Sequence, residues 1–257
     1  MNWFFKKKKN YIKNIKKFKK NLYINPKNSY HFKIGSKEYF EILFDNNQFI
    51  EINNKINFIK NINFIDKISY IEKLKKIKKK TNLNNATRTA YGKINNYNIL
   101  IVCMDFNFLG GSMGLIVGEK ISQAINYSIV KKTPLLIISK SGGARIMESS
   151  FALMQMAKIS SRLLKLLKLK IPYISLMTSP TAGGVTASFA MLGDFNIAEP
   201  ESLICFAGPR IIKETIGKEL PYKYQNAENI IKNGFLDFIV DRRRIKNKIT
   251  NLLKILT

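Results

Sequence analysis

Three apolar runs in this chain end in a glycine pair, Gly110-Gly111, Gly142-Gly143 and Gly183-Gly184, and each pair is followed by a long apolar-periodic segment. Glycines at a strand-to-helix turn leave backbone N–H groups open to an incoming atom, and the helix dipole adds to their attraction for negative charge. Donors fixed in this way stabilise an oxyanion. Taken singly, each pair fits a plain tight turn or a close helix–strand contact equally well. The single histidine, His31, stands in a basic, irregular segment, which excludes a Ser-His-Asp or Cys-His unit in the core. Neither the G-x-G-x-x-G dinucleotide fingerprint nor the Lys-Ser/Thr ending of a P-loop occurs at these turns. What remains is chemistry in which fixed donors hold an enolate or a similar anion and the proton acceptor comes from elsewhere.

The elements that must position these turns are legible from about residue 88 onward. Hydrophobic periodicity predicts strands at 98–106, 134–139, 172–177, 195–198 and 202–206. Helices are predicted at 114–130, 146–169, 183–192, 210–220, 226–233 and 244–256. This alternation argues for an α/β architecture with crossover connections, and neighbouring glycine pairs lie about one strand-plus-helix unit apart. In the helix over 146–169, Met147, Phe151, Met154, Ala157 and Leu164 form one apolar stripe and Leu153, Met156, Leu163 and Leu167 a second. That pattern predicts a helix buried between layers. Upstream, residues 70–80 repeat Ile71, Leu74 and Ile77 at helical spacing among lysines, and residues 1–35 read as a partly ordered basic appendage.

A chain of 257 residues with 46% hydrophobic content buries a sizeable core without disulfides. Its two cysteines, Cys103 and Cys205, lie inside apolar runs and read as core, in a reducing compartment. No stretch approaches the roughly 20 apolar residues that span a bilayer, and Trp3-Phe4-Phe5 is too short for a signal peptide. These features predict a cytoplasmic protein, or one of an organelle stroma. The net charge of +27 raises a nucleic-acid reading. However, residues 1–80 hold 21 Lys against 6 acids while the remainder holds 23 basic against 11 acidic groups, so the excess is spread along the chain. Together with the abundance of Ile, Asn and Lys, it reads as the drift of an AT-rich genome.

Several segments in order carry a resemblance: Asp105 to Gly114, Ser141 to Arg145, Leu153 to Lys158, Ser188 to Asp194, Ile197 to Pro200 and Phe206 to Arg210. From about residue 36 to the C-terminus the chain resembles the β subunits of acetyl-CoA carboxylase carboxyltransferases. The resemblance implies a crotonase-like spiral of strand-strand-helix units over 36–257. It also implies an activity, transfer of a carboxyl group from carboxybiotin to acetyl-CoA to give malonyl-CoA, in the first committed step of fatty acid biosynthesis. Biotin rides on a biotin carboxyl carrier protein that is charged by an ATP-dependent biotin carboxylase. The chain is expected to act only with a related α subunit, in an α2β2 heterotetramer. In the implied mechanism carboxybiotin releases CO2, the ureido anion takes the acetyl α-proton and the enolate attacks CO2, so the enzyme needs no histidine. By carry-over, Gly142 and Gly143 form the oxyanion hole, for either the thioester enolate or the ureido oxygen of biotin, and Gly183 and Gly184 either line the same cleft or permit close packing. Gly110, Gly111, Ser112, Met113 and Gly114 become a wall for the CoA arm, and Arg145 either meets a CoA phosphate or caps a loop.

One departure stands out. The family commonly carries an N-terminal zinc ribbon with two C-x-x-C knuckles, and here Asn25-Pro26-Lys27-Asn28 falls at the second while no first is visible. Amides are poor zinc ligands, so residues 1–35 are expected to form a degenerate, metal-free ribbon. A carboxyltransferase or decarboxylase subunit for a larger acyl-CoA, and more remotely a basic nucleic-acid-binding protein on an inactive scaffold, are the readings that stand beside the main one.

Overall fold

A computed structural model describes residues 18–52, 56, 62 and 64–256. Among these residues eight strands form one sheet: β1 (Phe49–Ile52), β2 (Thr87–Ile94), β3 (Tyr97–Met104), β4 (Leu135–Ser141), β5 (Tyr173–Ala182), β6 (Phe195–Ala198), β7 (Ile204–Cys205) and β8 (Phe238–Ile239). Its order is β1-β2-β3-β4-β5-β6-β8, with β7 paired to the far end of β5. The first three strands are antiparallel and the rest parallel. Among the described residues, seven α-helices accompany the sheet: α1 (Ser36–Leu43), α2 (Tyr70–Thr81), α3 (Leu115–Lys131), α4 (Ser149–Lys168), α5 (Pro209–Ile216), α6 (Ala227–Lys232) and α7 (Ile245–Leu256).

Successive strand side chains point to opposite faces, and the two faces hold two apolar clusters. Leu100, Val102, Leu135 and Ile137 face Val117, Ile121 and Ala124 of α3 and Ile159 and Leu163 of α4. Ile99, Ile101, Leu136 and Ile138 face Tyr39, Phe40 and Leu43 of α1 and Ile249 and Leu253 of α7. The sheet is therefore the middle of three layers. Because the parallel strands run the same way, the turns that follow β3, β4 and β5 all emerge at one edge of the sheet, which brings the three glycine pairs to one place. Among the described residues, no helix is long and apolar enough to cross a membrane.

The elements differ from the sequence reading in four places. The expected strand over 98–106 is the second arm of a hairpin, and its partner β2 and the edge strand β1 lay outside the prediction. The helix expected over 146–169 is broken: Ile146–Glu148 is a 3-10 turn, Ser149 has φ 47°, and α4 begins only there. The helix expected over 183–192 is a run of turns ending in a 3-10 segment, Phe189–Met191. There Ser188 has φ −126° and ψ −117°, and its hydroxyl bonds the Gly184 carbonyl that a helix would have used. The helix expected to reach Leu220 stops at Ile216, because Gly217 takes the left-handed conformation that ends it (φ 72°).

A further correction concerns α4, which is not sandwiched between layers. Only Ala152, Gln155, Ile159, Leu163 and Leu166 of this helix are buried, while Phe151, Leu153, Met154, Leu164 and Leu167 are all more than half exposed. The apolar pattern on two sides is real, but one side faces outward.

Residues 18–35 pack onto the body. Tyr23 and Ile34 join the cluster around α1, so packing continues across the boundary expected at residue 35, whereas residues 1–17 lie outside the described part. Asn25 to Ser29 form a tight knuckle, with the Ser29 N–H donating to Asn25 O (2.8 Å) and an antiparallel bridge joining Ile24 to His31. Arg242 is the nail of this dock. It is 1% exposed and donates to both oxygens of Glu199 (2.7 and 2.5 Å) and, through Nη1, to the carbonyls of Leu22, Tyr23 and Phe32. Burial alone would raise the Glu199 carboxyl, but Arg242 and His31 beside it hold it well below the usual carboxylate range.

Candidate functional site

The three glycine turns touch one another backbone to backbone. A Cβ on Gly111 (φ +64°) would lie 2.1 Å from the Lys140 carbonyl oxygen, and one on Gly183 (φ +62°) would lie 3.0 Å from the Gly143 Cα. Gly143 itself has φ +114°, and a Cβ there would meet Gly183 Cα at 3.3 Å. Here glycine is needed twice over, for the conformation and for the approach. Hydrogen bonds lock the first turn to the second: Gly142 N–H donates to Gly110 O (2.9 Å), Met113 N–H to Gly143 O (2.9 Å) and Arg145 N–H to Met113 O (2.7 Å). The second and third turns are set relative to each other by a break in register, where Ser139 pairs Met177 but Ser141 pairs Thr181. The extra length of β5 is pinned by the Thr178 and Thr181 hydroxyls, which donate to Ser139 O at 2.9 and 3.0 Å.

These same bonds redistribute the donors. The expected oxyanion hole used the Gly142 and Gly143 amides, yet Gly142 N–H is committed to Gly110 O, and Gly143 N–H is held by the Ser141 hydroxyl at 3.0 Å. Gly183 N–H is also taken, by Phe206 O (2.9 Å) and Cys205 O (3.1 Å). Among the described residues, no acceptor engages the amides of Ala144, Gly184, Val185 or Thr186. The last three are the open donors of a single turn closed by Ala187 N–H to Gly183 O (3.0 Å). Ala144 and Gly184 are neighbours across the two turns, for a Cβ on Gly184 would sit 3.6 Å from that of Ala144. Ala144 and Val185 lie in the motifs that the sequence singled out but were not among its candidate site residues. Their signal there was the position just after each glycine pair, where a turn exposes its next amide.

The helix dipole contributes less than the sequence implied. The N-terminus of α3 is capped from within, since the Glu148 carboxylate accepts from the Leu115 N–H and fills the space beside Gly114. Glu148 is 1% exposed and also takes Arg145 Nη1 (2.9 Å) and the Tyr70 hydroxyl (2.5 Å). Burial, with Glu148 adding to it, pushes the Tyr70 hydroxyl far above its ordinary value.

Arg145 is likewise internal. It is 1% exposed and donates from Nε to Ser112 Oγ (3.1 Å), from Nη1 to Tyr70 OH (2.9 Å) and from Nη2 to Ser112 O (2.8 Å). A phosphate contact does not fit a guanidinium whose three nitrogens are engaged behind the turn. Arg145, Ser112, Met113 and Gly114 form the brace that fixes the second glycine turn against the first. The buried Met113 and Gly114 offer little wall to a ligand, and Gly110 and Ser112 are half-buried at the rim.

The ribbon's metal chemistry does not fit the residues present. Asn25 and Asn28 spend their side-chain oxygens on local backbone, accepting from Lys27 N–H (3.0 Å) and Tyr30 N–H (3.2 Å). Among the described residues no group of His, Cys, Asp or Glu is placed to hold a metal ion, and Cys103 and Cys205 are buried in separate strands. His31, which the sequence places in a basic, irregular segment, is packed into the body of the fold. Its side chain is 5% exposed between Glu199 and Asp241.

Comparison with known proteins gives this geometry its setting. The carboxyl transferase domain family matches residues 38–256. Acetyl-coenzyme A carboxylase carboxyl transferase subunit beta of Amoebophilus asiaticus is 55% identical over 252 residues, covering 98% of this chain and 90% of its own length. The subunit of the same name from Pedobacter heparinus is 57% identical over 236 residues, covering 92% and 84%. Among solved structures, transcarboxylase 12S with methylmalonyl-coenzyme A and methylmalonic acid bound superimposes with a TM-score of 0.71 at 24% identity. That alignment covers 86% of this chain, which spans 41% of the other. A chain of the Pseudomonas malonate decarboxylase hetero-dimer follows with a TM-score of 0.64 at 18% identity and 84% coverage of both. The two solved structures share the fold; the match over residues 38–256 and the long, highly identical relatives go further, and the chain belongs to the carboxyl transferase family.

Proposed function

We propose that this chain is the β subunit of an acetyl-CoA carboxylase carboxyltransferase and forms malonyl-CoA for fatty acid biosynthesis. The observation that carries the site assignment is the pair of acceptorless amides, Ala144 and Gly184, on touching glycine turns. Carboxybiotin, borne by a biotin carboxyl carrier protein, supplies the carboxyl group. The contribution of this chain is to hold the thioester oxygen as negative charge grows on it when the acetyl α-proton leaves. Fixed amides in a turn need no reorganisation at that moment, and each such donor is worth about 3 kcal/mol of barrier. Gly143 joins them when a substrate oxygen displaces the Ser141 hydroxyl, while Gly142 and Gly183 hold the rim in place. Gly110 and Ser112 edge the rim, and Gly111, Met113, Gly114 and Arg145 support it from behind.

The remaining half of the active site is assigned to an α subunit. The apolar outer face of α4, with Phe151, Leu153, Met154, Leu164 and Leu167 exposed, supports a large partner. An α2β2 assembly in the cytoplasm, served by biotin carboxylase, completes the proposal. The test is reconstitution: this chain, an α subunit and a carboxylated carrier protein are expected to yield malonyl-CoA, and each protein omitted in turn to yield none. Malonyl-CoA from this chain and carrier alone would overturn the two-subunit assignment, and none from the complete mixture would overturn the function.

A further inference from the structure

A cavity of about 180 Å3 lies between the N-terminal knuckle and the ends of β4 and β5, bounded by His31, Lys33, Lys140, Glu199, Glu201 and Arg242. None of the glycine-turn residues lines it. It has room for several water molecules. The charges around it do not balance. Glu199 is spoken for by both arms of Arg242, and Glu201 by Lys223. Lys33 and Lys140, in contrast, have no carboxylate within ion-pair distance among the described residues.

Lys140 is the sharper case. It is 1% exposed, and its Nζ donates to the Ile34 carbonyl at 2.5 Å and stands 5.3 Å from the centre of the Tyr39 ring, so no anionic group takes its remaining N–H bonds. A buried ammonium without a counter-charge is unfavourable, and burial pushes Lys140 down to about 8 despite the pull of Glu199. On the same cavity the His31 ring uses Nε2 on Asp241 (3.4 Å), while its buried Nδ1 makes no hydrogen bond and stands 3.6 Å from Glu199 Oε2. Room, a buried ammonium with no carboxylate at ion-pair distance and a ring nitrogen short of a hydrogen bond thus share one space.

We propose that this cavity binds a small oxyanion, a phosphate or a short carboxylate, against Lys140 Nζ with the His31 ring beside it. The inference does not depend on the proposed function, because it concerns charge balance behind the turns. Its consequence reaches them, since Lys140 of β4 and Ser179 of β5 are cavity residues on the two strands that carry Gly142 and Gly183.

The single histidine makes the test direct, since the ring nitrogens of His31 give the chain's one imidazole signal in a 15N-histidine-labelled sample. Inorganic phosphate and sodium acetate are titrated separately at constant ionic strength, with chloride as the reference. A saturable shift with either anion and none with chloride is expected, and the anion that answers identifies the class. Lys140→Met should weaken that binding by roughly tenfold or more, the loss of one charge-assisted contact, and Lys140→Arg should retain it. No saturable shift of the unmodified chain with either anion overturns the proposal, whether or not the variants fold. So does an unchanged affinity in folded Lys140→Met.

Discussion

Replacing Gly111 with alanine places a methyl carbon 2.1 Å from the Lys140 carbonyl oxygen and 3.2 Å from Ser141 Cα, whereas the same change at Gly110 meets its nearest atom, a Phe106 ring carbon, at 4.0 Å. Both glycines are left-handed, with φ of +66° and +64°. Each alanine therefore costs about 1 kcal/mol for its conformation, and only Gly111→Ala adds a clash. To restore ordinary contact, the Lys140–Ser141 backbone must retreat by roughly 1 Å, an overpacking cost of about 1–3 kcal/mol. That backbone leads straight into Gly142 and Gly143. A shift of about 1 Å in a positioning element lowers turnover on the order of 100-fold. Gly111→Ala should thus lose about 2–4 kcal/mol in denaturant unfolding and most of its malonyl-CoA formation in the reconstituted assay. Gly110→Ala should lose about 1 kcal/mol and keep its rate within a few-fold. Equal losses in the two variants would refute the claim that close backbone approach, and not conformation alone, requires glycine at position 111.

Removing Arg242 as Arg242→Met leaves Glu199 buried without its partner and should cost about 3–5 kcal/mol in chemical unfolding, with less lost when Glu199→Met accompanies it. The folded Glu199 carboxyl titrates below its ordinary value of 4.5, so its contribution is complete above that value and is lost as the pH falls below it. Acid unfolding curves should show a weaker loss below pH 4.5 in Glu199→Gln than in the parent chain. Ser141→Ala frees the Gly143 amide of its internal acceptor; stability should drop by about 1 kcal/mol or less and turnover should hold, whereas a fall of about tenfold or more would give the hydroxyl a direct part in the chemistry. Leu164→Glu on the exposed face of α4 should leave unfolding within about 0.5 kcal/mol of the parent and weaken co-purification with the α subunit; undiminished association would place that partner elsewhere.

The sequence made the glycine pairs visible and, through alternation, the strands that deliver them, because both depend on residue type over short range. It hid which amides stay open. The Gly142 N–H is taken by Gly110 O from the preceding unit, and the N-terminus of α3 by Glu148 from the following one; neither partner is marked by spacing or composition. The missed hairpin was more accessible. Asn95 and Asn96, both left-handed at φ 45° and 69°, separate two β-branched runs at the two-residue spacing that closes a hairpin.

The outward side of α4 is a different kind of miss. Periodicity records that a face is apolar, and a layer of the same chain or another protein satisfies that requirement equally. In this chain α3 covers one side, through Val117, Ile121 and Ala124. The five large residues left exposed on the other are the surface that an isolated subunit has no means of burying. The amides of Ala144 and Gly184 open at the turns that follow β4 and β5, and α4 begins just beyond the first of these turns. An incomplete site beside an incompletely covered helix is what one half of a shared active site requires.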